Sequence, residues 1–191
     1  MSDDGLLTLH AVRLLGFADT AAVAGRFAQD LGAVESQLID AGVKGLVSHS
    51  TFAGISGWSL SSLGRAENER LLAQELDRTG ARLAVTDVLD EFTDLNAPVV
   101  SACSAIQLQP SNSTEAMDLL IGALAAWRPA EARLAVLLPR FAGYSERLLR
   151  ALKHAVLDPA WLTATDRESF HRVWFELHED LLATLGIQRG G

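Results

Sequence analysis

The segment FHRVWFELHEDLL places His171 and His178 seven residues apart among several acids, and it is the closest approach to metal chemistry in this chain. Zinc proteases bring two imidazoles together at i and i+4 with a Glu beside the first, so that ligands and base converge. Here His178-Glu179 runs on into Asp180-Leu181-Leu182 and no second His follows. Two rings seven residues apart on one helix stand about 10 Å apart along its axis, too far to share an ion. No metal site is expected, and each ring is read as a helix-interface residue.

Nucleophile chemistry is no better supplied. Gly143-Tyr144-Ser145-Glu146-Arg147 begins like a nucleophile elbow but lacks the closing Gly, and it precedes a helical segment where an elbow follows a strand. Cys103 lies in an apolar stretch without a neighbouring cation, the setting of an inert thiol. No phosphate-binding loop or dinucleotide fingerprint occurs. The expectation is a protein without catalytic residues, metal or cofactor.

Ligand binding is a stronger candidate. Arg140, Tyr144 and Arg147 gather around Pro139, where a helix must break, and two guanidiniums there can clamp a small carboxylate or phosphate. His171, Trp174 and His178 are placed on the opposite wall of such a pocket. The ordinary alternative pairs Arg140 and Arg147 with surface acids.

These side chains must be positioned mainly by helices. Leu6, Leu7, Leu9, Val12, Leu14 and Leu15 predict a first helix ended by Gly16. Asp19 or Thr20 caps a second, over 21–27, and Asp30 caps a third, LGAVESQLIDAG, stopped by Gly42. On that helix Leu31, Val34, Leu38 and Ala41 should face inward, and Ala33, Ser36, Gln37 and Asp40 outward. Strands follow at 46–49 and 55–60 around a loop, 50–54, and a fourth helix is expected over 66–78, closed by Gly80.

Beyond these, helices are expected over 81–95, 99–108, 115–127, 129–138 and 144–157. Asn96 and Pro98 should open the second of them, 109–114 forms a polar loop, and 158–165 forms another. A last helix should open on a Thr165/Glu168 capping box and end at Gly186. Its apolar stripe is Phe170, Val173, Trp174, Leu177, Leu181 and Leu185, flanked by His171, Phe175, His178 and Leu182. The side carrying Arg172, Glu176, Glu179, Asp180 and Ala183 is expected to be wet.

At 191 residues and 49% hydrophobic composition the chain can bury a full core without staples. A single Cys, no leader pattern and no apolar run of about 20 residues point to a cytoplasmic protein outside the membrane. The net charge of −8 works against unspecific attraction to polyanions.

Three helices, a hairpin and a helical exit predict a mainly α protein with an N-terminal winged helix-turn-helix over 1–68 and a helical domain over 69–191. WSLSSLGRAENERLL resembles the L-T-x-x-G-R element after the wing of MarR-type regulators. That resemblance implies that Gly64 turns the chain sharply and that Arg65 sits near the wing base. LPRFAGYSERLLRAL and FHRVWFELHEDLLATLG are similar to the helical tail of actinobacterial proteins with such a front. Some of those resemble parts of pyruvate phosphate dikinase-type proteins.

The implied role is a transcriptional regulator that binds double-stranded DNA as a homodimer. Ser36 and Gln37 would read bases, while Arg26, Lys44 and Arg65 hold phosphates, helped by Arg13 and His49. The helical domain would pair copies or sense the small anion. Against this, residues 1–68 hold four Lys and Arg to seven Asp and Glu, and the wing segment 50–57 has no cation. The alternative is an accessory that binds a protein or metabolite, for instance with a phosphoenolpyruvate-utilising enzyme.

Overall fold

The computed structural model describes residues 3–52, 54–108 and 113–187. Ala53 of the wing and residues 109–112 of the expected polar loop lie outside them. The chain is mainly helical, with a small two-stranded antiparallel hairpin near the N-terminus and an extensive helical region after it. Two compact units are present, one comprising residues up to Gly80 with those from Ala183 on, the other Ala81–Leu182. The first unit takes in the whole fourth helix, so the expected 68/69 boundary falls inside that helix. Among the described residues no helix is long and apolar enough to cross a membrane.

In the first unit α1 (Asp4–Leu15), α2 (Thr20–Arg26) and α3 (Leu31–Val43) are each opened by an Asp whose carboxylate accepts free backbone N–H groups. Gly16 ends α1 at φ 73°, as its position predicts. Gly42 does not stop α3: the helix runs on to Val43, and the turn is made at Gly45, φ 71°. Val34, Leu38 and Ala41 are buried against α1 and α2, but Leu31 is 53% exposed, because it opens the helix before the packed turn begins.

The hairpin is longer than expected. β1 (Val47–Phe52) pairs with β2 (Ile55–Leu60) from Val47↔Leu60 to Phe52↔Ile55, so Ser50 to Phe52 belong to the strand. A third segment joins through Ala18, whose N–H and C=O bond Trp58 at 3.2 and 2.7 Å. This approach requires Gly57, where a Cβ would lie 2.8 Å from the Phe17 ring. Trp58 also donates its indole N–H to Thr20, tying the sheet to α2.

α4 (Ser62–Thr79) starts four residues earlier than expected because Ser61 caps it, donating to the Gly45 carbonyl and accepting from Gly64 N–H. Gly64 is therefore a helical residue and not a turn. It is a glycine because a Cβ there would lie 1.9 Å from the Leu46 carbonyl oxygen at the base of the wing.

The second unit holds α5 (Arg82–Leu108), α6 (Ser113–Leu137), a 3-10 turn at Pro139–Phe141, α7 (Tyr144–Ala155), a short α8 (Ala160–Thr163) and most of α9 (Phe170–Leu185). Pro98 and Pro129, expected to open new helices, lie inside α5 and α6. Both are on exposed faces, where water can take the carbonyl left unbonded by the missing N–H. Asn96 is not a cap; its side chain accepts the Trp174 indole N–H at 3.1 Å. At α9 the cap is Ser169, which accepts from Arg172 N–H, and the Thr165/Glu168 box does not form.

Gly64→Ala should lower stability by about 2–4 kcal/mol, since the obstacle is backbone that cannot swing away. Gly122→Ala, on α6 with nothing within 4 Å of the added Cβ, should raise it by about 0.5–1 kcal/mol. Urea denaturation of both variants distinguishes this steric role from a general intolerance of substitution.

Candidate nucleic-acid interface and the buried arginine cluster

The outward face of α3 is only partly polar. Ser36 is exposed and donates to the Gly32 carbonyl at 3.0 Å. Gln37 is half-buried, and its side-chain oxygen accepts from Thr8 at 2.5 Å, so that oxygen is turned toward α1. Beside them Leu31, Ile39 and Val43 are 53%, 54% and 86% exposed, with the acids Glu35 and Asp40 between. Residues 27–43 contain no Lys or Arg.

The cations assigned to phosphate are dispersed. Arg13 is almost entirely buried and paired with Glu69 at 3.1 Å. Arg26 is half-buried with its guanidinium 4.4 Å from the centre of the Phe27 ring. Lys44 and Arg65 are exposed, the first just beyond α3 and the second in the first turn of α4. Lys44 also lines a cleft of about 280 Å³ with Asp3, Asp40 and Glu67. The Glu67 carboxyl is held below its ordinary range, first by its hydrogen bonds from Arg70 and, more weakly, by the charge of Lys44. His49, on the wing, packs against Trp58 with ring centres 4.7 Å apart.

In the second unit the structure brings Arg140, Tyr144 and Arg147 together as their spacing around Pro139 predicts, but with carboxylates of the same unit already against them. Arg140 and Asp180 form an ion pair in which both side chains are sealed from solvent, and Tyr144 donates its hydroxyl to the other Asp180 oxygen at 2.9 Å. Arg147 makes a two-pronged bond to Glu176 at 2.8 and 2.7 Å and another to Glu168 at 3.0 Å. Burial works to lower the Arg147 pKa, but the bonds and charge of Glu176, with Glu168, raise it overall. A fourth carboxylate, Glu131 of α6, accepts the Gly143 and Ser145 N–H groups at 2.7 and 2.8 Å and so caps α7.

This corrects the reading of α9. Glu176, Asp180 and Ala183 are buried where a wet face was expected, while Phe175 of the flanking stripe is 51% exposed. The acids Glu131, Glu168, Glu176 and Asp180 were missed as site residues. The available signal was spacing: Glu176 and Asp180 are one helical turn apart on α9, so they stack on one face.

The remaining predicted residues lie in the aromatic core. Trp174 stacks on Phe92 at 4.7 Å and on Phe170 at 5.9 Å, and His178 lies 5.2 Å from Phe92. His171 is half-buried, and burial holds its pKa below the ordinary value. Cys103 is buried, and burial pushes its thiol up to about 11. Among the described residues no three His, Cys, Asp or Glu are grouped to hold a metal.

Comparison with known proteins finds no matching family, no similar curated protein and no similar solved structure. The fold itself is consistent with a winged-helix-type architecture in general: three helices, a hairpin and an exit helix, followed by a helical region.

Asp180→Asn leaves Arg140 charged in a sealed site and should cost about 3–5 kcal/mol, whereas replacing both partners by apolar residues of similar volume should cost much less. Chemical denaturation of the single and double variants checks this. Cys103 should resist iodoacetamide at pH 8 until the chain unfolds. Because its folded pKa is raised from 9.0 to about 11, its contribution to stability is complete below pH 9 and lost as pH rises toward 11. Cys103→Ala should remove that part of the alkaline slope.

Proposed function

We propose that this protein is a cytoplasmic winged-helix transcriptional regulator of the MarR type that reads double-stranded DNA as a pair of copies and has no catalytic role. The observation that carries the reading is α3 itself: a capped helix, held by α1 and α2 beside a hairpin wing, with its outer face open to solvent. That is the arrangement by which a helix enters a major groove. Ser36 is a base reader, and the Gln37 amide nitrogen is a second, its oxygen being turned to Thr8. Leu31, Ile39 and Val43 suit the methyl groups of thymine, the apolar feature of the groove.

With Lys44 and Arg65 as its main exposed cations, each copy neutralises about two phosphates. The logarithmic salt slope of a bound pair is then shallow, roughly −4. Pairing doubles the base contacts and matches a palindromic site. The helical unit supports this role as the part that pairs copies or senses a ligand. Arg140 and Arg147, already engaged by Asp180, Glu176 and Glu168, serve as its internal frame.

A second reading is favoured by the composition of the same face. Leu31, Ile39 and Val43, flanked by Glu35 and Asp40 without a cation, also form a surface suited to a protein partner. In that case the protein is an accessory that keeps the winged helix without DNA affinity.

Mobility shifts on the protein's own upstream region across a salt series separate the two. The regulator should bind that region at least tenfold more tightly than random duplex. Ser36→Ala should relax sequence preference, and Arg65→Ala should weaken all sequences alike. Binding that never exceeds the random duplex removes the regulator and leaves the protein-docking reading.

A further inference from the structure

An open groove of about 370 Å³ runs between α6 and α7 of the helical unit. Leu124 and Leu152 form its buried floor, while Ile121 and Val156 on its walls are 48% and 73% exposed. Arg128 and Lys153 stand at its edge, both exposed. Like Arg82 and Arg172, they stand outside the ion pairs of this unit. Arg133, Arg140, Arg147, Arg150 and Arg167 all pair with carboxylates, whereas among the described residues Arg128 and Lys153 have no ion pair.

Arg128 and Lys153 stand level with each other, with Leu149 on one side of them along the groove and Leu124, Ile121 and Met117 on the other. α6 and α7 are joined through the short turn at Pro139–Phe141 and pack together, so they run back along each other. Arg128 lies about 16 Å nearer that turn than Met117, which lines the far end. We propose that this groove binds a straight-chain carboxylate of medium length. Its head sits against Arg128 and Lys153, and its hydrocarbon lies over Leu124 and Ile121 toward Met117. The cations supply charge-assisted hydrogen bonds, and the volume lies within the range of small-molecule sites. A second copy seated symmetrically on the same face fits less well. It would bring Arg128 and Lys153 against a lining that contains no carboxylate.

The proposal is independent of what α3 contacts, and its test uses no DNA. The full-length protein is titrated calorimetrically with decanoate below its micellar concentration. The expected result is saturable one-to-one binding, with affinity rising about two- to fourfold per added methylene from octanoate to decanoate. Decanol, lacking the charge, should bind at least tenfold more weakly. An Arg128→Glu/Lys153→Glu double variant should lose at least tenfold for decanoate while keeping its melting temperature, since both side chains are exposed and unpaired. Ile121→Glu should weaken octanoate and decanoate alike. Absence of saturable heat, equal binding of decanol, or an unchanged double variant overturns the proposal. So does a dimer in sedimentation that Ile121→Glu dissolves while decanoate fails to bind, an outcome that gives the groove to a second copy.

Discussion

Asp180 carries a charge into a place water does not reach, and the helical unit is organised around answering it. A carboxylate in low dielectric is tolerable only when its lone pairs are met by donors in good geometry, with an opposite charge among them. Arg140 supplies the charge and Tyr144 a hydroxyl, and both come from the corner where α6 gives way to α7. The corner exists because Pro139 ends one helix and Gly143, at φ 97°, opens the next. One turn away on α9, Glu176 repeats the pattern with Arg147. Moving α9 by a single turn along the corner would set one carboxylate against the wrong guanidinium and leave the other guanidinium and carboxylate unmatched, so the network fixes register where an apolar stripe alone would let the helix slide.

The same network explains what could and could not be read from the residues in order. Two helix starts were legible where a short polar side chain answers its own next turn, at Asp19 and Asp30, because that chemistry is local, whereas the Ser61 cap of α4 was passed over. The Thr165/Glu168 pair has the right spacing for a cap, yet Glu168 is drawn to Arg147 and Arg150, and Ser169 takes the role. Glu176 and Asp180 read as a wet face because periodicity counts polarity and cannot see a partner thirty or forty positions away. Pro98 and Pro129 read as breaks because a missing N–H is costly in general, and less so on a face turned to solvent. The winged helix was legible as an order of elements. Its tight approaches were not, since Gly57 and Gly64 acquire meaning only when Phe17 and Leu46 are found against them.

Those two glycines bear on how the first unit can act. With Gly57 against the Phe17 ring and Gly64 against the Leu46 carbonyl, the hairpin packs closely against its neighbours at two points where a methyl group would clash. Trp58 adds a hydrogen bond to Thr20, and Ala18 adds a single antiparallel bridge to Trp58. The hairpin is thereby tied to α2 and to the segment before it. Rigidity lowers the ordering cost of association, which matters most where few strong contacts are on offer. α3 offers few charges and three exposed aliphatic side chains, and the nearest exposed cations, Lys44 and Arg65, lie outside the helix. In the proposed function, recognition through this face would rest on shape and apolar contact, with charge in a minor part. That holds whether the opposing surface is a row of thymine methyls or the side of another protein.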